Sequence, residues 1–458
     1  MTNNPIAANP NIEPSTEPRG EPGAAPEQAR SEPTNAARVH VSDETEAKHH
    51  QAARLRIRFI TTRPAWPLYP GYRLRTSNLL RALCEIADVD ATFVVPDDEH
   101  GEVCPPDLVP HSVQIVRVPR LSTIPALVRW ARGKLPMPMT KVDWTAAAES
   151  TETLVGPDTC DLVFITPSTA WKAGSMARVP IIVDLDDLDD FKIEHRISDR
   201  SNYPSGLKGL AEQIIDRVDL RRWRHLYAEV KTTARCVVVC SATDIERLAV
   251  PHARALPNVY PVPAATEVIQ ARAKTTSPSA LLVGDLTYRP NLEALAFLQE
   301  SVMPIVWESR PDFELHVVGK NEFGDRSFDK RISVHGVVDS VTPFLEGTWM
   351  VVAPLRSGGG TRIKILEAFA HRIPVIATTV GCEGLAAVDG KDLLVADNPA
   401  DFARAVLKVA ENPSLIADLT NNAYQLFRSN YTFSALCSSV EQVVGFATTE
   451  VGNLSLRQ

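Results

Sequence analysis

The sequence predicts an α/β protein built from two doubly wound parallel sheets that face a cleft, preceded by a disordered tail. Three observations predict it. Short β-branched runs alternate with amphipathic stretches from Leu55 onward. The alternation runs twice, on either side of the proline-marked segment "LPNVYPVPAA". The first fifty residues hold almost nothing that a core could bury.

Taken in order, the tail over 1–53 is rich in Pro, Glu and Ala, and its first fifty residues carry eight acidic and four basic groups. It has neither the basic start nor the apolar run of a signal peptide. The domain expected over 54–265 contains the strand candidates "LRIRFITT", "VDATFVVP", "VQIVRVP", "DLVFITP", "VPIIVDLDD" and "ARCVVVCS". Helical spacing lies between them over 76–87, 144–155 and 207–233. The domain expected over 266–450 contains "ALLVGD", "FELHVVGK", "ISVHGVV", "WMVVAP", "IPVIATT" and "DLLVAD". Its helices include 290–301, the segment from Thr361, and one opened by Asn398-Pro399-Ala400-Asp401, which supplies an N-cap, a first-turn proline and a first-turn acid. Strands alternating with helices make parallel sheets covered on both faces. Ligands of such sheets sit at the carboxyl ends of the strands, which places the site in the cleft between the domains.

Composition narrows the function. The chain has 458 residues, 44% hydrophobic and 23% charged, as in a soluble globular protein of two or three domains. A net charge of −8 argues against a nucleic-acid partner. No eighteen-residue apolar run is present, so no transmembrane helix is expected. Seven scattered cysteines fit a reducing cytoplasm, and Cys236 and Cys240, on one face of a strand, read as core thiols.

The stretch "VVAPLRSGGGTRIKILEAFA" carries the strongest chemical signal. Gly358, Gly359 and Gly360 have no Cβ, so backbone N–H groups can close around an anion at the positive end of the following helix. Arg356, Arg362 and Lys364 add positive charge. Ile363, Leu366 and Ala370 form an apolar stripe, and Glu367 falls on its edge. A partly desolvated carboxylate there needs donors. Either Lys364 supplies them, as an ordinary intrahelical pair, or a ribose diol does. A diphosphate at the helix start with a ribose one turn further in describes a nucleotide.

Two other stretches stand out. "VDLDDLDD" places Asp184, Asp186 and Asp187 at a strand end, where they could hold Mg²⁺ or Mn²⁺ or form a plain acidic turn. Between 117 and 141 there are six basic residues and no acid, with Leu, Ile and Trp interleaved. Such a stretch is either a solvated helix face or a surface for anionic lipid.

These residues resemble the GT-B glycosyltransferases of the group 1, family 4 type found in exopolysaccharide synthesis. The resemblance runs from Leu55 to about Val444 and is densest over "DLTYRPNLEALAFLQESVMPIVWESRPDFELHVVGK" and "APLRSGGGTRIKILEAFAHRIPVIATTVGCEGL". "PGYRLRTSNLLRAL", "VDLDDLDDFK" and "CSATDIERL" are also similar to members of that group. It implies two Rossmann-like domains, a nucleotide-sugar donor on the second, and a glycan or lipid-linked acceptor on the first. It also implies transfer with retention, no cofactor and no essential metal. The acidic turn then has no metal to hold, because the Asp-x-Asp metal motif belongs to the other large glycosyltransferase fold, which lacks a second doubly wound domain.

The resemblance assigns residues as well. Glu367 takes the position of the family glutamate that accepts the ribose hydroxyls; a second family acid, eight residues earlier, is replaced by Gly359. Gly358, Gly360 and Thr361 complete the phosphate loop. Gly284 and Gly319 follow strands where the backbone approaches the nucleotide, although a tight turn alone would also explain them. Arg289 and Asn291 occupy the usual place of phosphate ligands, with Arg362 and Lys364 as the groups that stabilise the leaving diphosphate. Gly71 and Arg75 match the acceptor-side glycine loop and the arginine of the next helix. The expected setting is cytoplasmic, with peripheral contact to the inner membrane through 117–141. A nucleotide-sugar epimerase of the same fold and a non-catalytic nucleotide-sugar-binding scaffold are the alternatives.

Overall fold

The computed structural model of the chain describes residues 54–66, 71–98, 104, 108, 110–198, 203–263, 277–322, 327–358 and 362–449; the tail expected over 1–53 lies outside them. All twelve strand candidates form strands. In the first half the order is β1 (Arg56–Thr61), α1 (Gly71–Ile86), β2 (Asp88–Pro96), β3 (Ser112–Val118), α2 (Thr123–Arg132), α3 (Trp144–Glu152), β4 (Leu162–Thr166) and α4 (Trp171–Gly174). It continues through β5 (Ile181–Asp184), α5 (Asp189–Ser198), α6 (Leu207–Thr233), β6 (Cys236–Val239), α7 (Ala242–Leu248) and β7 (Ala253–Ala255). The sheet is parallel, with strand order β3-β2-β1-β4-β5-β6-β7. Strand β7 has no apolar run to announce it, being the three edge residues Ala-Arg-Ala.

The second half repeats the plan. It runs β8 (Ser279–Val283), α8 (Arg289–Phe297), α9 (Met303–Ser309), β9 (Glu314–Val318), β10 (Ile332–Gly336), α10 (Thr342–Glu346), β11 (Met350–Ala353), α11 (Ile363–Ala370), β12 (Val375–Ala377) and β13 (Leu394–Val395). Helices α12 (Pro399–Glu411), α13 (Pro413–Asn430) and α14 (Phe433–Thr448) close the chain. Its parallel sheet has the order β10-β9-β8-β11-β12-β13. Central strands are buried along their whole length, as at Leu162–Thr166 and Met350–Ala353, because helices cover both faces. That is why they read as continuous apolar runs.

The domain boundary needs one correction. The second domain was expected to extend to 450, yet α14 packs into the core of the first half. Leu436, Val440, Val443 and Val444 share a cluster with Phe59, Leu79, Leu80 and Phe93. The stripe at i, i+4, i+7, i+8 would be exposed without a partner, and α1 supplies that partner. The chain therefore passes between the halves twice, at 256–263 and again at the start of α14.

The order of the first sheet reverses direction between β1 and β4, and the residues below that point are tied by a buried ion pair. Arg75, on the second turn of α1, donates from Nη2 and Nε to the two carboxylate oxygens of Asp184 at 2.6 and 3.0 Å. Its Nη1 donates to the Leu256 carbonyl and to Asn258 Oδ1, at 2.9 and 3.0 Å. Asp184 also accepts from Thr166 Oγ1 and from the Asp186 backbone N–H. The pair is almost wholly enclosed, with side-chain exposures of 3% and 0%. Arg75 was expected at the acceptor and phosphate loop; instead it joins α1, the ends of β4 and β5, and the segment leading to the second half. Gly71, its companion in that expectation, begins α1 rather than forming a loop.

Breaking this pair should be costly. Arg75→Met leaves the Asp184 carboxylate buried without its cation, for an expected loss of about 3–5 kcal/mol. Arg224→Met removes the exposed partner of Glu194 and should cost about 1 kcal/mol or less. Chemical unfolding of both variants followed by circular dichroism checks this; equal losses would contradict the structural role given to Arg75.

Candidate active site

In a doubly wound sheet the crevice opens where the strand order reverses, which in the second half is between β8 and β11. The residues after β8 and β11 line that point. Gly284 follows β8, and its backbone N–H donates to Val318 O at 2.9 Å. Gly319 follows β9 with φ +147°, and a Cβ there would sit 1.9 Å from the Gly284 carbonyl oxygen. Gly319 is thus required by the backbone of Gly284, and Gly284 in turn by the Asn291 side chain, which a Cβ there would approach to 2.7 Å. After β11 the chain turns through Gly358, at φ +99°. Gly359, Gly360 and Thr361 lie outside the described residues.

Helix α11 then supplies the charged groups. Ile365, Leu366, Ala368, Phe369 and Ala370 are buried, while Ile363, Lys364 and Glu367 form its less buried side. The core face is therefore shifted from the stripe that the sequence spacing suggested. Lys364 does not pair with Glu367. Its Nζ donates to Asn291 Oδ1 at 2.8 Å, while Asn291 Nδ2 donates to the Asp285 carbonyl. Among the described residues no carboxylate pairs with Lys364. Burial and the neighbouring Arg362 push its pKa down to about 7. Arg362 is 6% exposed and donates from Nη2 to the carbonyls of Gly358 and Val380, at 2.9 and 3.0 Å, pinning the loop to the segment after β12. Burial lowers its pKa as well.

Glu367 accepts a hydrogen bond from the Tyr260 hydroxyl at 2.7 Å. Burial raises the pKa of its carboxyl, and the tyrosine offsets part of that rise. Tyr260 comes from the segment between the halves, so the hinge reaches the middle of α11. No sequence pattern singles it out. Arg289 is half-exposed and pairs with Glu293 at 2.6 Å, one turn along α8.

A cleft between the halves, which Arg289 and Gly358 reach, encloses ≈ 890 Å³. Lys192, His195, Lys208 and Glu212 line it from the first half; Tyr288, Arg289 and Gly358 line it from the second. A neighbouring cavity of ≈ 180 Å³ is bounded by Asp187, Phe191, Arg247 and Glu383. Arg247 of α7 spans the two halves, bonding to Glu383 while its guanidinium stacks on Phe191 at 3.8 Å. His195 borders both cavities and also escaped the sequence reading.

The acidic turn lies on the first half's side. Asp186 and Asp187, with the Cys240 thiol, bring ligand atoms within 4.8 Å of one another. Each carboxylate already has a cation: Arg63 on Asp186 at 2.7 Å and Lys192 on Asp187 at 2.8 Å. A divalent ion there would have to compete with both.

Residues 277–412, which contain β8 through α12, match the family described as Glycosyl transferases group 1. Sucrose-phosphate synthase from Thermosynechococcus elongatus superposes with a TM-score of 0.59 at 16% identity, over 85% of this chain and 98% of that one. HepE from Anabaena, solved with UDP-glucose, gives 0.56 at 12% identity, over 85% and 99%. At these identities the likeness establishes the fold alone, which is GT-B. An uncharacterized 44.6 kDa protein in the cps region of Klebsiella pneumoniae is 25% identical over 173 residues. That match spans 35% of this chain and 45% of the relative, less than half the relative's length.

A lysine titrating near 7 makes anion binding depend on pH. A diphosphate favours protonated Lys364. Above about pH 7 the empty site must take up a proton to bind, so affinity should fall by up to about ten-fold per pH unit. Below that point this group contributes no slope. Calorimetric titration with a nucleotide sugar, whose diphosphodiester charge is constant over this range, checks the effect for wild type and Lys364→Arg. A flat wild-type profile, or an unchanged slope in Lys364→Arg, would contradict it.

Proposed function

We propose that this protein is a glycosyltransferase that moves a sugar from a nucleotide-sugar donor, bound by the second half, to a glycan or lipid-linked acceptor that enters from the first. One observation carries the reading. At the switch point of the second sheet, among the described residues, Lys364 has no acid to neutralise it and Glu367 has a tyrosine hydroxyl as its one charge-assisted donor. An anion beside a hydroxyl-rich sugar supplies what both groups lack. The diphosphate would lie at the start of α11, against the loop of Gly358, Gly359, Gly360 and Thr361, with Arg362 and Lys364 beside it. The ribose would reach Glu367, and Gly284, Asn291 and Arg289 would complete the donor site.

Transfer proceeds with retention in this proposal. The bond from the anomeric carbon to the diphosphate oxygen breaks, and a bond to the acceptor oxygen forms on the same face of the sugar. The leaving phosphate takes the acceptor proton, while Arg362 and Lys364 stabilise the charge that develops on it. Neither a metal nor another cofactor enters the scheme. The relative from a cps region and the resemblance to exopolysaccharide enzymes support a role in exopolysaccharide or cell-surface glycan synthesis, in the cytoplasm. No helix among the described residues is long and apolar enough to cross a membrane.

The test combines binding and turnover. UDP-, GDP-, ADP- and dTDP-sugars are titrated into wild type and Glu367→Gln, and transfer is followed in the presence of EDTA. Each charge-assisted bond to the ribose is worth about 1.5–3 kcal/mol, so the donor that binds should bind Glu367→Gln about ten-fold or more weakly. Melting temperatures should match, because glutamine still accepts from Tyr260 and carries no buried charge. Unchanged affinity in a folded variant would overturn the nucleotide assignment. Turnover of the donor without an acceptor would favour an epimerase, and binding without any turnover a scaffold.

A further inference from the structure

A third cavity, of ≈ 430 Å³, lies where the chain crosses between the halves, and its size falls within the about 300–1,000 Å³ of small-molecule sites. Ser241 and Thr243 border it from the first half, Gly384 and Ala386 from the second, and Pro257 and Tyr431 from the two passages. The passages are fastened to each other beside it, through the Tyr260 N–H on Tyr431 O at 3.0 Å. The Tyr431 hydroxyl in turn accepts from the Ala386 N–H at 2.7 Å. Ser241 and Gly384 also border the ≈ 180 Å³ cavity beside the cleft. A Cβ on Gly384 would touch Ser241 Cβ at 3.4 Å, so the halves meet between the two spaces.

The chemistry of this cavity differs from that of the cleft. Lys192, His195, Arg247 and Glu383 are among the ionisable groups around the other two cavities, whereas no Asp, Glu, Lys, Arg or His among the described residues lines this one. Burial raises the pKa of the Cys240 thiol and of the Tyr431 phenol, which keeps both neutral. An ionised ligand would find no counter-charge here. The walls offer hydroxyl oxygen instead. Ser429 of α13, and Ser438 and Ser439 of α14, each donate to a carbonyl of their own helix, at Gln425, Ser434 and Ala435, over 3.0, 3.2 and 3.0 Å. A hydroxyl has one proton and two lone pairs, so these three present acceptors to the cavity. Asn430 adds an amide, while Pro257, Leu385 and Ala435 add apolar surface. The complement of such a wall is a neutral molecule with many O–H donors around an apolar ring face.

We propose that this hinge cavity binds an uncharged saccharide, whose hydroxyls donate to Ser429, Ser438 and Ser439 and whose ring face lies against Pro257 and Leu385. A ligand there touches both halves and both passages, so it stabilises the spacing of the halves in which it fits. The site is separate from the donor pocket and does not rest on the function proposed above.

The experiment is saturation-transfer NMR on the full chain with glucose, galactose, mannose and maltotriose, followed by titration of those that bind. The monosaccharides stand for a free sugar and maltotriose for the end of a glycan chain; binding of either supports the site, and the tighter one identifies its source. Ser438→Ala/Ser439→Ala removes two acceptors and should weaken binding about five-fold or more. Ser438→Trp, which fills the cavity, should abolish it. Both variants should keep the wild-type melting temperature without sugar, because Ser438 is exposed and alanine favours the helix. No binding by any of the four sugars would sink the proposal. So would wild-type binding in both variants, because the sugar would then sit in the cleft. Failure to bind nucleotide sugars would count against the proposed function and leave this result standing.

Discussion

The enclosed pair of Arg75 and Asp184 is the constraint on which the first half depends. Parallel strands bring several polar chain ends to one place, and each end carries groups that cannot stay dry unbonded. One guanidinium and one carboxylate satisfy the ends of β4 and β5, the second turn of α1, and the segment at Leu256 and Asn258 together. That segment leads to Tyr260, whose hydroxyl reaches Glu367. The ion pair below the first sheet and the carboxylate in front of the second are thus only a few residues apart along one tie.

The two halves treat charge in opposite ways. In the first half, Asp184, Asp186 and Asp187 are matched by Arg75, Arg63 and Lys192, so each of these acids is internally compensated. In the second half, Lys364 rests on the neutral amide of Asn291, and Glu367 on a phenol. Holding charges this way destabilises the empty protein, as the lowered lysine pKa and the raised glutamate pKa both record. Such an arrangement is maintained where a ligand completes it. The uncompensated charges lie in the half that matches the group 1 family.

Much of this was legible in the residues. Twelve strands were readable because helix-covered parallel strands are apolar throughout, and β7 escaped because an edge strand of three residues needs no such run. Lys364 and Asn291, both singled out in the sequence, meet through a hydrogen bond. Sequence spacing could not show that Lys364 reaches across to α8 rather than down its own helix, since both contacts are within the length of the side chain. Nor could it separate the two meanings of Arg75, which is a surface arginine or a buried one depending on what packs over α1. Gly319 was legible as special, but its reason, the carbonyl of Gly284, lies on another strand.

By itself the sequence determined what is local or periodic: the alternation of strands and helices, the proline-marked passage between halves, the glycine loop and the basic stretch after β3. These follow from backbone sterics and from side-chain period, which act over a few residues. The tertiary structure alone decided which charges meet, that α14 returns to the first core, that Tyr260 caps Glu367, and that α2 faces outward with its apolar side. Those outcomes depend on solvent exclusion and on contacts between residues far apart in the chain, and burial is a property of the whole assembly of elements rather than of any one of them.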